Sequence, residues 1–228
     1  MKSKSSETFL IVYAHSEEKS LCSSIKDRLS SILFKAKKHV LISDLYEMNF
    51  NPCISSKDFL HLSSKQQYVS FEQEQKKSSD IGSFDPQISQ EIEKIEKADF
   101  VIFIAPMYWG SVPAILKGWF DRTLVRGKAW DMNQWFESGL FKGKKALLIL
   151  TSGSKESDFQ KGAFQNISLE NLLHHITDNT LKFCGFDVLK PFVFYETGSK
   201  PKEIIEADLK DFEEFINKIF EGTPSIKL

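Results

Sequence analysis

Cysteine is scarce, and the three thiols present, Cys22, Cys53 and Cys184, stand far apart in the chain. An odd count without a close pair builds neither a disulfide framework nor a zinc knuckle, so no metal is expected and a reducing compartment fits. Neither sign of charge prevails: 30 Lys and Arg stand against 31 Asp and Glu, for a net charge of −1. That balance leaves no field to draw in nucleic acid or an anionic membrane surface. No apolar run is long enough to span a bilayer, and residues 1–8 are too polar for a signal peptide. A cytoplasmic protein without membrane insertion is the expectation. A GxGxxG fingerprint is missing, as are internal repeats and any clean linker. One domain over residues 1–228 follows.

What is present is a rhythm. Five short apolar runs, at 9–13, 40–43, 100–104, 146–150 and 192–195, have strand length. Three of them are nearly continuous rather than alternating, which marks strands covered on both faces. Between them lie helical patterns. Leu21, Ile25, Leu29 and Ile32 share a face, as do Ile88, Ile92 and Ile95, with Asp85 as N-cap and Pro86 at the first helical position. Pro113 is read the same way before Ile115, Leu116, Trp119 and Phe120. A further helix carries Leu169, Leu172, Leu173, Ile176 and Leu181, and a closing one Leu209, Phe212, Phe215, Ile216 and Ile219. The 20 phenylalanines read mainly as core filler. Strands alternating with helices predict an α/β doubly wound sheet of five parallel strands, in the flavodoxin-like order 2-1-3-4-5, with helices on both faces. Residues 51–84, polar and rich in Ser, Lys and Gln, break the rhythm as a long excursion whose conformation the pattern does not define.

In such a sheet ligands bind beyond the carboxyl ends of the strands, where the order reverses. Three loops meet there. The first, Ala14-His-Ser-Glu-Glu-Lys-Ser20, enters a helix, where free N–H groups and the dipole suit a phosphate; His15, Lys19 and Ser20 can add contacts, and Ser20 also reads as a plain cap. The second, Pro106-Met-Tyr-Trp-Gly-Ser-Val-Pro113, exposes an aromatic pair suited to a large flat ring. The third, Thr151-Ser-Gly-Ser154, has residues small enough for close backbone approach. A phosphoryl-accepting signalling domain of the same topology is excluded, because the third strand ends in Ala105-Pro106 where an Asp is required.

These residues resemble the NAD(P)H:quinone oxidoreductases of the DT-diaphorase type, whose bacterial relatives include drug-activity modulators and potassium-efflux ancillary proteins. The likeness is carried by Ile11-Val-Tyr-Ala-His15, Ser43-Asp-Leu-Tyr-Glu-Met-Asn-Phe50, Val112-Pro-Ala-Ile-Leu-Lys-Gly-Trp-Phe-Asp-Arg122, residues 139–145 and Phe183-Cys-Gly-Phe186. It implies a homodimer with one flavin per subunit, FAD with FMN as the alternative, and ping-pong hydride transfer from NAD(P)H to a quinone at the dimer interface. It places His15, Ser20, Leu21 and Cys22 at the flavin phosphates and ribityl chain, and Gln67 toward the adenosine end. Pro106, Met107, Tyr108, Trp109 and Gly110 fall on the ring loop, and Thr151, Ser152, Gly153 and Ser154 at the flavin edge. Trp130, Asp131 and Met132 fall on the substrate-lining segment. Lys117 and Arg122 read as surface or structural charges.

The departures are specific. Cys22 stands where the family usually has Asn. The family's Tyr and His that relay charge fall on Phe159 and on Phe164 or Gln165, none of which changes protonation state. This loss leaves a second reading beside the enzyme, a flavin-binding ancillary subunit of a membrane transporter. The adjacent His174 and His175 read as one buried and one solvated residue rather than as metal ligands.

Overall fold

The computed structural model describes residues 7–63 and 68–220. Its chain order begins β1 (Thr8–Tyr13), α1 (Leu21–Lys35), β2 (His39–Asp44), α2 (Phe71–Ile81), α3 (Pro86–Lys97) and β3 (Phe100–Pro106). It continues α4 (Ala114–Thr123), β4 (Lys145–Thr151), α5 (Leu169–Ile176), β5 (Asp187–Val188), β6 (Phe192–Phe194) and α6 (Lys202–Phe220). The strands pair in parallel in the order β2-β1-β3-β4-β5, with β6 also on β4. The predicted five-position, doubly wound order 2-1-3-4-5 is therefore present, but its last position is filled by two short strands. The run at 192–195 supplies only the second of them. Leu189, Lys190 and Pro191 separate the two, and Pro191 has no N–H to continue a ladder.

Successive residues of a strand face opposite ways. Leu10, Val12, Val101, Phe103, Leu148 and Leu150 pack toward α3, α4 and α5 through Ile95, Leu116, Trp119 and Leu173. Phe9, Ile11, Ile102, Ile104, Leu147 and Ile149 pack the other way, on Ile25 and Leu29 of α1 and Phe212 and Ile216 of α6. Both sets are apolar, which is why the runs do not alternate. Pro113 lies one residue outside its helix, at the cap of α4, rather than at the first helical position. The helix expected to reach Leu181 closes at Ile176 and passes into a wider π-helical turn, Thr177–Lys182.

The excursion is ordered by contacts that the pattern could not supply. It holds a short 3-10 turn at Ser56–Asp58, the helix α2, and an antiparallel bridge between Phe59 and Phe84. Phe59 and Phe84 join Ile88, Ile92 and Val125 in a satellite cluster. Arg122, at the end of α4, reaches across to it. Its Nε and Nη2 donate to the two Asp58 carboxylate oxygens at 3.1 and 2.9 Å, and its Nη1 donates to the Asn51 carbonyl at 2.6 Å. Both charges are buried. A Cβ on Gly118 would fall 2.2 Å from the Pro52 carbonyl oxygen, so glycine there lets the excursion cross α4 at backbone contact. Arg122 is thus structural, while Lys117 is an exposed charge paired with Asp121 one turn on.

Two predictions follow from this packing. Arg122→Ala strands the Asp58 carboxylate in the interior and lowers stability by about 3–5 kcal/mol in urea denaturation, whereas pairing Arg122→Met with Asp58→Leu regains most of it. Of the three thiols, Cys53 is exposed and Cys22 and Cys184 are buried; burial pushes the Cys22 thiol up to about 11 and Cys184 up to about 12. A thiol-disulfide reagent at mildly alkaline pH therefore titrates Cys53 rapidly and reaches the other two only on unfolding.

Candidate active site

The β1–α1 loop is built as a helix entrance. Ser20 adopts extended backbone, and its hydroxyl oxygen accepts from the Ser23 N–H at 3.1 Å. Two further short bonds shape the turn: the Glu17 N–H donates to His15 Nδ1, and the Lys19 N–H donates to the Glu17 carboxylate, both at 2.9 Å. Among the described residues, no carbonyl takes the backbone N–H groups of Leu21 and Cys22, the latter lying beside its own thiol sulfur. They are the free donors that a helix start offers to an anion. The Cys22 side chain does not reach the loop. It is buried, with Sγ 3.4 Å from the Thr151 hydroxyl, and ties the first loop to the third.

The β3–α4 loop displays its aromatics. Pro106 closes the strand, and the Met107 N–H donates to the Thr151 carbonyl at 2.8 Å. Tyr108 and Ser111 exchange backbone hydrogen bonds of 2.8 and 3.0 Å around Trp109 (φ 51°) and Gly110 (φ 72°). Two successive left-handed residues inside a doubly bonded four-residue turn form the mirror-image turn that favours Asn-Gly. A tryptophan there costs about 1–3 kcal/mol. Its ring is nonetheless 104% exposed, and Tyr108 is half exposed.

The β4 loop is braced from the last strand. The Ser152 N–H donates to Phe194 O at 2.8 Å, the Thr197 N–H to Ser152 O at 3.1 Å and the Glu196 N–H to Ser154 O at 3.1 Å. Gly153 is exposed, and a Cβ there would meet nothing. Of the two candidates for the family's His, Phe164 points to solvent, while Gln165 Nε2 donates to the Ser154 hydroxyl at 3.1 Å. Phe159 is buried against the Tyr195 ring, centroids 5.9 Å apart. Burial, with Glu156 nearby, pushes the Tyr195 hydroxyl up to about 12, so it stays protonated at neutral pH. Tyr195, the last residue of the apolar run 192–195, lies just past β6 and is a polar neighbour of Phe159 that strand periodicity does not reveal.

The substrate-lining segment lies elsewhere on the chain. Asp131 accepts from Arg126 Nε and from the Met132 N–H, each at 2.8 Å, and this pairing holds its carboxyl below the usual range. Trp130 meets Phe183 edge-on, and Met132 is exposed. A cavity of about 260 Å³ is lined by Trp130, Phe183, Phe120 and Leu124 among others, and by no residue of the three loops. A larger one, about 780 Å³, flanks the sheet edge beside Val193 and Tyr195 and shares with the candidate site only Phe159. Neither of these two cavities is lined by residues 14–20, 107–111 or 152–154. Gln67 lies outside the described residues. His174 and His175 are both exposed, so the expectation of one buried ring does not hold; His174 sits 3.3 Å from Asp178.

The strand pairing brings the three loops together. Tyr13 lies beside Ile104, and Pro106 beside Thr151, so residues 14–20, 107–111 and 152–154 all leave the same sheet edge. Free N–H donors for a phosphate, a bare indole face and a small-residue turn suit a flavin mononucleotide unit.

Known proteins agree with this geometry. A family model described as flavodoxin-like fold matches residues 7–216. The chain is 36% identical to the NAD(P)H dehydrogenase [quinone] 1 of Rattus norvegicus over 216 residues, covering 94% of this chain and 78% of that one. It is 37% identical to the ribosyldihydronicotinamide dehydrogenase [quinone] of Mus musculus over 215 residues, covering 94% and 93%. The crystal structure of a candidate quinone reductase from Klebsiella pneumoniae superposes with a TM-score of 0.87 at 29% identity, covering 94% of this chain and 85% of that one. With strand order, loop placement and these likenesses in agreement, the chain belongs to the NAD(P)H:quinone oxidoreductase family of the flavodoxin-like fold.

Proposed function

We propose that this protein is a flavin-dependent NAD(P)H:quinone oxidoreductase that works as a cytoplasmic homodimer. The observation that carries the reading is the Trp109 turn: a fully exposed indole, held in left-handed backbone at the reversal point of the sheet, between a helix start with free N–H groups and a glycine turn. A strained, solvent-facing aromatic at a ligand edge is stabilised when something flat covers it.

A flavin held by these loops would supply two-electron hydride chemistry between a nicotinamide and a quinone. The chain's own residues do the rest. Leu21 and Cys22 N–H groups, with His15, hold the phosphate. Tyr108 and Trp109 orient the ring system and exclude water from one face. Ser152, Gly153 and Ser154 let the backbone approach its edge, and Gln165 fixes the Ser154 hydroxyl. Phe159 fills space and moves no proton. FAD is favoured, with FMN the alternative.

The dimer has its own support. Neither of the two cavities described joins the Trp130–Met132 segment to the flavin loops. Trp109 and Met132, one from each of the two segments, are both exposed and offer apolar area for a partner to cover. A twofold partner brings one chain's Trp130, Asp131 and Met132 over the other's loops. The transporter-subunit reading gains nothing from the relatives, which are named as dehydrogenases.

Purified protein is expected to show flavin absorption bands that bleach anaerobically with NADH or NADPH and return on adding a quinone. Oxidation of neither nucleotide would overturn the reading. Ribosyldihydronicotinamide belongs in the donor panel, because the two relatives named for different donors are about equally similar. Trp109→Ala weakens flavin binding by about tenfold, the loss of one stacked aromatic face. Sedimentation at micromolar concentration reports a dimer; a monomer that retains full quinone turnover would refute the shared site.

A further inference from the structure

The Trp109 turn needs support from outside. Trp109 projects into solvent and Tyr108 is half exposed, while the turn's other two residues, Gly110 and Ser111, both meet α5. Ser111 Oγ lies 2.9 Å from His175 Nε2. A Cβ on Gly110 would lie 3.0 Å from Leu172 Cδ1, so the leucine packs directly on the glycine backbone. Leu172 and His175 are three residues apart and share one face of the helix.

The histidine is itself fixed. Its Nδ1 lies 3.0 Å from the Leu172 carbonyl oxygen. A carbonyl only accepts, so Nδ1 carries the proton. In the neutral ring Nε2 is then an acceptor, and the Ser111 hydroxyl donates to it. The chain of bonds runs from the α5 backbone through the imidazole to the turn.

We infer that α5 clamps the aromatic turn, with His175 as a positioning residue that holds Ser111, and so Trp109, where the flavin face is built. The inference rests on the proposed flavin site for its consequence, but not for its geometry.

The test compares wild type, His175→Leu, Ser111→Ala, the double variant and His175→Gln, with His174→Leu as control. In flavin-free protein, hydrogen exchange of the peptide over residues 107–111 is expected to quicken about fivefold in His175→Leu and in Ser111→Ala, with the double variant no worse than either. His175→Gln, whose amide oxygen accepts at similar reach, restores slow exchange, and His174→Leu leaves it unchanged. In loaded protein the two single variants raise the flavin dissociation constant by a similar factor and alter the flavin band shape. If exchange in both single variants stays within about twofold of wild type, the clamp is refuted. It is equally refuted if His175→Leu acts and Ser111→Ala does not. Should wild type bind no flavin, the functional reading falls, and the exchange arm still decides the clamp.

Discussion

The Arg122 guanidinium gathers several separate parts of this chain. It sits at the end of the helix that follows the aromatic loop, faces Asp58 with two parallel bonds, takes the Asn51 carbonyl, and lies over the Phe50 ring at 5.2 Å. A planar cation with five fixed donors can hold such a set, and lysine cannot. The pair is buried, so its value lies less in net stability than in the penalty for separating its members. In consequence the polar excursion is anchored on α4 by this ion pair, alongside the Pro52–Gly118 contact and the Phe59–Phe84 cluster. That fixes α4, and with it the helix start into which the Tyr108-Trp109 turn feeds.

The parts of the fold that were legible are those where local pattern and tertiary context agree. The strands read clearly because both faces of Val101–Ile104 are covered, which forces continuous apolar runs. The helices α1, α3 and α6 read from their stripes, and Asp85 and Ser20 from their capping chemistry. The excursion did not read, because α2 is polar and is held by distant partners. Its Glu74 is buried and accepts from the Ser63 N–H, and Ser79 donates to the Arg126 carbonyl at 2.6 Å. The Ser79–Arg126 bond joins residues 47 apart, beyond the reach of a local sequence window. The π-helical turn after α5 escaped for a similar reason, since Leu181 kept the apolar spacing through it.

The site divides along the same line. Topology alone placed the three loops, because strand order decides which loops meet. Side-chain direction was not available: Cys22 turns inward to Thr151, Phe159 to Tyr195, and Gln165 toward Ser154. His175 was in view but was weighed only as a metal ligand or core residue. Its partner Ser111 lies 64 residues away, a separation that spacing arguments do not reach.

The divided last position of the sheet has a consequence for how the protein behaves at high concentration. A long, flat edge strand invites strands from other molecules, the first step of aggregation. Here the outer edge offers only Asp187–Val188 and Phe192–Phe194, with Pro191 interrupting them. At the opposite edge Lys94 Nζ donates to the Ile42 carbonyl at 3.2 Å, so a charge sits on a backbone acceptor that an incoming strand would need. A sheet with so apolar an interior thus presents, at both margins, surfaces that discourage it from growing.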